Sequence, residues 1–382
     1  MTNNKKVLIM AGGTGGHIFP ALGIAHHLQT LGVTVEWLGT KKGMESELIP
    51  QTGIPIHYIS ISGLRGKSAL TKVFSPFAIV IAVFQALGKI LKSKPSCVLG
   101  MGGFVTGPGG VAAWILRKPL LLHEQNAIAG FSNQLLYPMA SIVMEGFAGA
   151  YRRKQEVTKS SLLKRICSGG KAIHVGNPLR QEILDCPPPQ QRFRENDNQS
   201  GIKVLVLGGS RGALAINRLI PELLKEFSAA EKIELWHQCG KQNIESCKAY
   251  YKEQGIEESQ NRRIVSFIDD MAEAYCWADV VICRAGASTV SEIAAIGIPA
   301  VFIPFPFAVD DHQTENAIIM QKLGAAWVLQ QKGLVAAELG SVLMQFIEDK
   351  KLILKIALLA KQAAKTDATE QAAKYCMEAC YA

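Results

Sequence analysis

The stretch "VLIMAGGTGGHIFPAL", Val7 to Leu22, carries an apolar run into Gly12, Gly13, Thr14, Gly15 and Gly16 and then places His17 where a helix should begin. An imidazole changes protonation near neutrality, so at the mouth of a ligand crevice it can act as a general base. Elsewhere a histidine at a helix start is a cap or a surface residue. The glycines before it let backbone N–H groups converge on an anion at the helix N-terminus. Their spacing misses the dinucleotide pattern G-x-G-x-x-G, whose third glycine, counted from Gly13 and Gly15, is Ile18 here. It also misses the phosphate loop G-x-x-x-x-G-K-[ST], because no lysine follows. Two readings stay open: a nucleotide-binding turn, or a tight turn with a structural purpose.

Four further stretches hold residues fit for chemistry. "LGMGGFVTGPGGVAAW" has six glycines between Gly100 and Gly110, which demands close backbone approach to something, a substrate headgroup being one candidate. "LLLHEQNAIAGFSN" delivers His123, Glu124 and Asn126 at a strand end, either as a buried polar network or as partners for sugar hydroxyls. "LVLGGSRGALAIN" repeats the strand, glycine turn and helix, with Ser210 and its amides suited to a diphosphate. In "CRAGASTVSEIAAIGIPAVFIPF" the small residues Ala285 to Thr289 open a helix, and Glu292, one turn in, can accept from a ribose diol. "DDHQTENA" then places Asp310, His312 and Gln313 at the next strand end.

These residues need two sheets to hold them. Short apolar runs alternate with amphipathic stretches in both halves of the 382-residue chain, the pattern of parallel α/β sheets. "KVLIMAGGTG" (Lys6 to Gly15) is echoed by "KVLVLGGSRG" (Lys203 to Gly212), so each half starts a doubly wound domain. The expected limits are 1–176 for the first domain and 177–360 for the second. The tail 361–382 is a closing helix that can pack back on the first domain. Ala172 to Asn177 is the hinge candidate, before the proline-rich "CPPPQQRFRENDNQSG". The basic segment Tyr151 to Lys171 reads as a surface excursion.

The net charge of +9 allows an anionic partner: nucleic acid, nucleotide substrate or acidic membrane. Without a Lys/Arg run or a basic–aromatic ladder, nucleic acid is not expected. Nine scattered cysteines without a C-x-x-C pair argue against zinc and a disulfide framework. The start "MTNNKKVLIM" lacks a signal peptide's apolar core, which suits a reduced cytosolic compartment. "VFSPFAIVIAVFQALGKILKSK", Val73 to Lys94, is apolar enough to suggest a membrane span, but Pro76, Gln85 and Lys89 interrupt it. Phe74, Phe77, Ile81, Phe84, Leu87 and Leu91 recur at helical spacing, as in a buried crossover helix. The alternative is an interfacial helix resting on an anionic bilayer, with Lys72, Lys89, Lys92 and Lys94 near its ends.

Taken together, "AGGTGGHIFPAL", "GLRGK", "GMGGFVTGPGG", "HEQNAIAG", "VGNPLR", "GGSRGA", "WHQCGK", "FIDDM", "ADVVICRAGASTVSEIAAIGIPA" and "DDHQTENA" resemble, in order and over nearly the whole chain, the MurG family of bacterial peptidoglycan N-acetylglucosaminyltransferases. The resemblance implies an α/β fold of GT-B type, two Rossmann-like domains facing across a cleft. It implies inverting transfer of N-acetylglucosamine from UDP-N-acetylglucosamine to lipid I, undecaprenyl-pyrophosphoryl-N-acetylmuramoyl-pentapeptide, giving lipid II. No cofactor and no sugar-bound catalytic metal are implied. The family's donor contacts fall on Thr14, Gly15, Gly16, Asn126, Arg180, Ser210, Ile268, the run Ala287, Ser288, Thr289, Val290, Ser291 and Glu292, and Gln313. Within that set Arg180 and Ser210 meet the diphosphate, and the Ile268 backbone meets the uracil. His17 is the family's candidate base for the acceptor 4-hydroxyl, acting alone or with Glu124 or another carboxylate. A lipid-anchored acceptor implies peripheral attachment to the cytoplasmic face of the inner membrane, through the Phe74 to Leu91 face and Trp114. Phe104, where some relatives carry tyrosine, and the length of the Tyr151 to Lys171 excursion depart from the pattern on the acceptor side. The glycine turns by themselves also suit another nucleotide-sugar enzyme of this fold, a lipid glycosyltransferase or UDP-N-acetylglucosamine epimerase. They suit a non-catalytic nucleotide-sugar-binding subunit as well.

Overall fold

The computed structural model describes residues 5–61, 75–151, 171–193, 201–209 and 212–381. The chain forms two compact units, Met1–Leu179 with Lys365–Ala382, and Arg180–Ala364. In the first, seven strands lie in the order β3-β2-β1-β4-β5-β6-β7: β1 Lys6–Met10, β2 Thr34–Gly39, β3 Ile56–Tyr58, β4 Cys97–Gly100, β5 Leu120–Glu124, β6 Ile142–Glu145 and β7 Lys171–His174. In the second, six strands lie in the order β10-β9-β8-β11-β12-β13: β8 Ile202–Leu207, β9 Ile233–Gln238, β10 Arg262–Val265, β11 Val280–Cys283, β12 Ala300–Phe302 and β13 Ala326–Val328. The pairings between these strands are parallel. Parallel strands covered on both faces read as unbroken apolar runs, and Val7, Leu8, Ile9 and Met10 are all buried.

The strand order matters for function. β1 stands between β2 and β4, with Ile9 opposite both Trp37 and Leu99, and the chain leaves these central strands in opposite directions. Such a switch point opens a crevice beyond the carboxyl ends of the strands. Here the loops after β1 and β4 line it. In the second unit β8 and β11 are neighbours, Leu207 opposite Cys283, and the loops after them occupy the equivalent place.

One expectation about the chain's division needs correction, and another agrees with the structure. The hinge candidate Ala172 to Asn177 begins inside β7, where Ala172, Ile173 and His174 pair with Val143, Met144 and Glu145. Those three residues are held by the ladder, and the units divide between Leu179 and Arg180, within the stretch "VGNPLR", Val175 to Arg180, where the sequence puts the boundary. The second division, at Ala364 and Lys365, leaves the last helix, Ala368–Tyr381, in the first unit. Its Ala372, Ala373 and Cys376 are buried with Ile24, Leu28 and Cys97.

The apolar helix Ser75–Ser93 is not a buried crossover. It meets the core through Ala82, Ala86 and Ile90, while Phe77 is 68% and Phe84 69% exposed, with Val80, Ile81 and Leu91 exposed as well. Small alanines let the helix sit close against its neighbour, the Thr106–Ile115 helix, and turn its large side chains outward. By length and composition it could cross a membrane. Phe74 and Lys72 lie outside the described residues.

Each unit also buries one neutral histidine. Burial lowers His123 on β5 to about 4 and His237 on β9 to about 3. His237 bonds Tyr251 Oη at 2.8 Å and Asn217 Oδ1 at 3.2 Å. A base whose folded pKa is depressed contributes stability above its unfolded pKa, and that contribution is lost as pH falls toward the folded value. The melting temperature is therefore expected to fall steadily as pH drops from about 6.5 to 4. Calorimetry across that range checks this; a flat profile counts against neutral, buried histidines.

Candidate functional site

In the first unit Thr14 has extended dihedrals at the N-cap position and helix Gly15–Thr30 begins behind it, with His17 as its third residue. The loop is tied down from below. Trp37 Nε1 donates to the Ala11 carbonyl at 2.9 Å, and Gly13 N–H donates to Glu45 at 3.0 Å. Glu45 is fully buried and also accepts from Thr40 N–H at 2.9 Å and Thr40 Oγ1 at 2.8 Å. A Cβ at Gly12, Gly39 or Gly43 would run into the Glu45 side chain, so three glycines make room for one carboxylate.

The glycines after β4 have a similar explanation. Gly102 and Gly103 take φ of +98° and +82°, a region that L side chains avoid. A Cβ on Gly102 would lie 2.7 Å from His17 Nδ1, and one on Gly103 would strike the Gly12 carbonyl. Gly109 and Gly110 face Met10 and Leu136 at equally close range. The backbone approach that the sequence demands is thus met by this unit's own first loop and core. Thr106 Oγ1 joins the two loops, accepting from Gly102 N–H at 3.1 Å with the Met10 carbonyl 3.2 Å away.

His17 Nδ1 lies 3.0 Å from Oε1 of Gln125, so of the alternatives left open by the sequence, the side chain beside it is an amide and not Glu124. Glu124 points the other way along β5. Buried, it accepts from Asn126 N–H and Nδ2 at 3.0 and 3.1 Å, and from Gly130 N–H and Asn133 Nδ2, both at 2.9 Å. Its oxygens shape the loop that presents Asn126. Of "HEQN", then, His123, Glu124 and Gln125 are a buried polar network and Asn126 alone is half-exposed.

In the second unit Gly209 and Gly212 adopt φ of +77° and +74° before helix Leu214–Glu226; Ser210 lies outside the described residues. After β11, Gly286 takes the N-cap of helix Ala287–Ile296, with no side chain capping it and no acidic residue in its first turn. Its amides and dipole favour an anion there. Ala287 and Val290 are buried, whereas Ser288, Thr289, Ser291 and Glu292 are partly open. Ile268 is buried after β10, so what it can offer a ligand is main chain. Gln313 opens helix His312–Lys322 and accepts from Phe305 N–H at 2.9 Å.

The structure brings Arg180 and Glu292 together. Arg180 Nη2 is 3.4 Å from Glu292 Oε1, and Tyr275 Oη donates to Oε2 at 3.0 Å. Burial raises the Glu292 pKa above its ordinary value, while Arg180 and the Tyr275 hydroxyl pull it back. Thr14, Gly15, Gly16, His17 and Asn126 belong to the first unit; Arg180, Ile268, Ala287 to Glu292 and Gln313 belong to the second. The sequence reading passed over Glu45, Gln125 and Tyr275. For Gln125 a signal existed: alternation along β5 sends residues 123 and 125 to one side and Glu124 to the other.

Two Rossmann-like units with glycine turns at their switch points suit a nucleotide-sugar enzyme, and family matches narrow the class to glycosyltransferases. Residues 7–144 match the glycosyltransferase family 28 N-terminal domain and residues 203–374 the glycosyltransferase family 28 C-terminal domain, a GT-B architecture. The chain is 46% identical over 375 residues, 98% of both chains, to the UDP-N-acetylglucosamine--N-acetylmuramyl-(pentapeptide) pyrophosphoryl-undecaprenol N-acetylglucosamine transferase of Marinobacter nauticus. It is 44% identical to the same enzyme of Nitrosococcus oceani over 373 residues, 98% of each. It also resembles the crystal structure of Acinetobacter baumannii MurG, with a TM-score of 0.79 and 38% identity over 98% of this chain and 99% of that one. The chain belongs to the MurG family of N-acetylglucosamine transferases.

Proposed function

We propose that this protein transfers N-acetylglucosamine from UDP-N-acetylglucosamine to the 4-hydroxyl of N-acetylmuramoyl-pentapeptide on undecaprenyl pyrophosphate, converting lipid I to lipid II. The observation that carries this reading is the 46% identity, sustained over 98% of both chains, to a transferase named for that reaction. In the inverting step the acceptor oxygen attacks the anomeric carbon, the bond to UDP breaks, and His17 takes the hydroxyl proton. Charge developing on the departing diphosphate is met by the uncapped amides at Ala287 to Thr289 and by Arg180, fixed dipoles and charge that need not reorganise. Arg180 also rests on Glu292, and the two together offer the ribose and diphosphate ends of a donor complementary partners. Asn126, Gln313 and the first-loop residues Thr14 to Gly16 take the sugar side. Transfer of labelled sugar to a short-chain lipid I analogue, with chelator present, is the test. No transfer, or conversion of UDP-N-acetylglucosamine without acceptor, overturns the reading.

We further infer peripheral attachment to the anionic cytoplasmic leaflet of the bacterial inner membrane. Phe77, Val80, Ile81, Phe84 and Leu91 form an exposed apolar face, Trp114 is exposed on the adjoining helix, and Lys89, Lys92 and Lys94 lie near its end. Each phenylalanine buried in the interface contributes roughly 1.5–3 kcal/mol. Phe77→Ser with Phe84→Ser is therefore expected to weaken binding to anionic liposomes at least tenfold by sedimentation, while transfer to a water-soluble acceptor persists. Unaltered liposome binding by the double variant would refute the assignment of this face.

A further inference from the structure

His17 is the near end of a hydrogen-bonded series. Its Nδ1 is 3.0 Å from Gln125 Oε1; Gln125 Nε2 is 3.2 Å from His123 Nδ1; His123 Nε2 is 2.9 Å from the Gly176 carbonyl. A carbonyl oxygen only accepts, so His123 carries its proton on Nε2. Burial keeps that ring neutral, which leaves Nδ1 as an acceptor. The group that donates to it is the Gln125 amide nitrogen. The same nitrogen lies 3.4 Å from the His123 carbonyl, a second acceptor that sets the amide the same way round. Its oxygen must then face His17, and His17 Nδ1 must be the donor.

We propose that Gln125 and His123 are positioning residues that hold neutral His17 in its Nδ1–H tautomer, so that Nε2 carries the lone pair that receives the acceptor's proton. The tautomer follows from the hydrogen bonds and the burial of His123; its use in catalysis rests on the transferase reading. The choice of an amide has a consequence. A carboxylate on Nδ1 would set the same tautomer but would also stabilise the imidazolium. Gln125 orients the ring without placing a charge beside it. Gly102 closes the ring's Nδ1 side, where a Cβ would come within 2.7 Å. The Asn177 side chain donates to the Gln125 carbonyl at 3.0 Å, holding the middle of the series in place. The far end is the main chain of Gly176, three residues before the chain passes from the first unit to the second after Leu179.

The test is two-bond proton–nitrogen NMR on protein with ¹⁵N-labelled histidine, at a pH where the imidazole is neutral, with His17 assigned by its loss in His17→Asn. The wild type is expected to show a pyrrole-type Nδ1 and a pyridine-type Nε2. Gln125→Leu should shift His17 toward the Nε2–H tautomer and lower kcat by roughly 10- to 1000-fold, with KM for UDP-N-acetylglucosamine unchanged. Gln125→Glu should restore the Nδ1–H tautomer but kcat only in part, because a carboxylate stabilises the imidazolium and cannot donate to His123 Nδ1. A wild-type His17 protonated on Nε2 overturns the proposal, as does Gln125→Leu with unaltered tautomer and turnover. If Gln125→Leu does not fold, the wild-type spectrum decides alone. A wild type that transfers no sugar refutes the transferase reading, and the spectrum still reads the series.

Discussion

Replacing His17 with alanine is expected to lower kcat for sugar transfer by about 10²- to 10⁴-fold, the span usual for loss of a general base. The groups proposed to bind the donor at Ala287 to Glu292 belong to the other unit, so KM for UDP-N-acetylglucosamine should change by no more than about threefold, as for a group that acts on the transition state. The side chain is half-buried at a helix start, and its removal leaves one amide oxygen without a partner. Stability should accordingly fall by only about 1 kcal/mol. Steady-state transfer to a short-chain lipid I analogue, with thermal melts in parallel, separates these effects. Full turnover in His17→Ala would refute the base assignment and leave the transferase conclusion standing. A rise in KM alone would make His17 a binding residue.

Glu45→Gln is expected to produce the largest loss of stability. The native carboxylate accepts from Gly13 N–H, Thr40 N–H and Thr40 Oγ1 with no exposed surface. A carboxamide has the same shape, but one of its two ends becomes a donor that must face a backbone N–H. Hydrogen bonds to a charged acceptor contribute about 1.5–3 kcal/mol each, and an unsatisfied buried donor costs about 1–3 kcal/mol more. A loss of about 2–4 kcal/mol corresponds to a melting temperature lower by roughly 5–15 °C for a unit of this size. Activity should fall as well, because Gly13 is four residues from His17 and the loop between them is glycine-rich. Calorimetry of Glu45→Gln beside wild type measures the shift; a melting temperature within a degree or so would mean that Glu45 is not the loop's anchor.

The places where sequence reasoning stopped have a common character. Glycine spacing after β1 and β4 was enough to exclude two phosphate-binding patterns and to call for close approach, but not to say what approached. Gly102 meets His17, and Gly103 meets the Gly12 carbonyl; each contact joins two loops that adjoin because β4 pairs with β1. Helical spacing in Ser75–Ser93 locates an apolar stripe but leaves open whether the core or a membrane surface covers it. The core took the alanines, and a hydrophobic period says which side chains share a face and not what covers that face. Residue type offers Glu124 as one possible partner for His17, but its neighbour Gln125 holds the position, since strand alternation directs the two to opposite sides.

What the amino-acid sequence by itself determined is local or repeated: apolar runs that become buried parallel strands, glycine turns that open helices, the echo of Lys6 to Gly15 in Lys203 to Gly212, and the ordered motifs of a glycosyltransferase family. These follow from backbone sterics and from the period at which side chains recur. Only the tertiary structure decided that Gln125, 108 residues away, faces His17, that Glu45 anchors the first loop from 32 residues away, and that the last helix returns to the first unit. Those contacts depend on which strands become neighbours, and strand order is set by packing the whole domain rather than by any one segment.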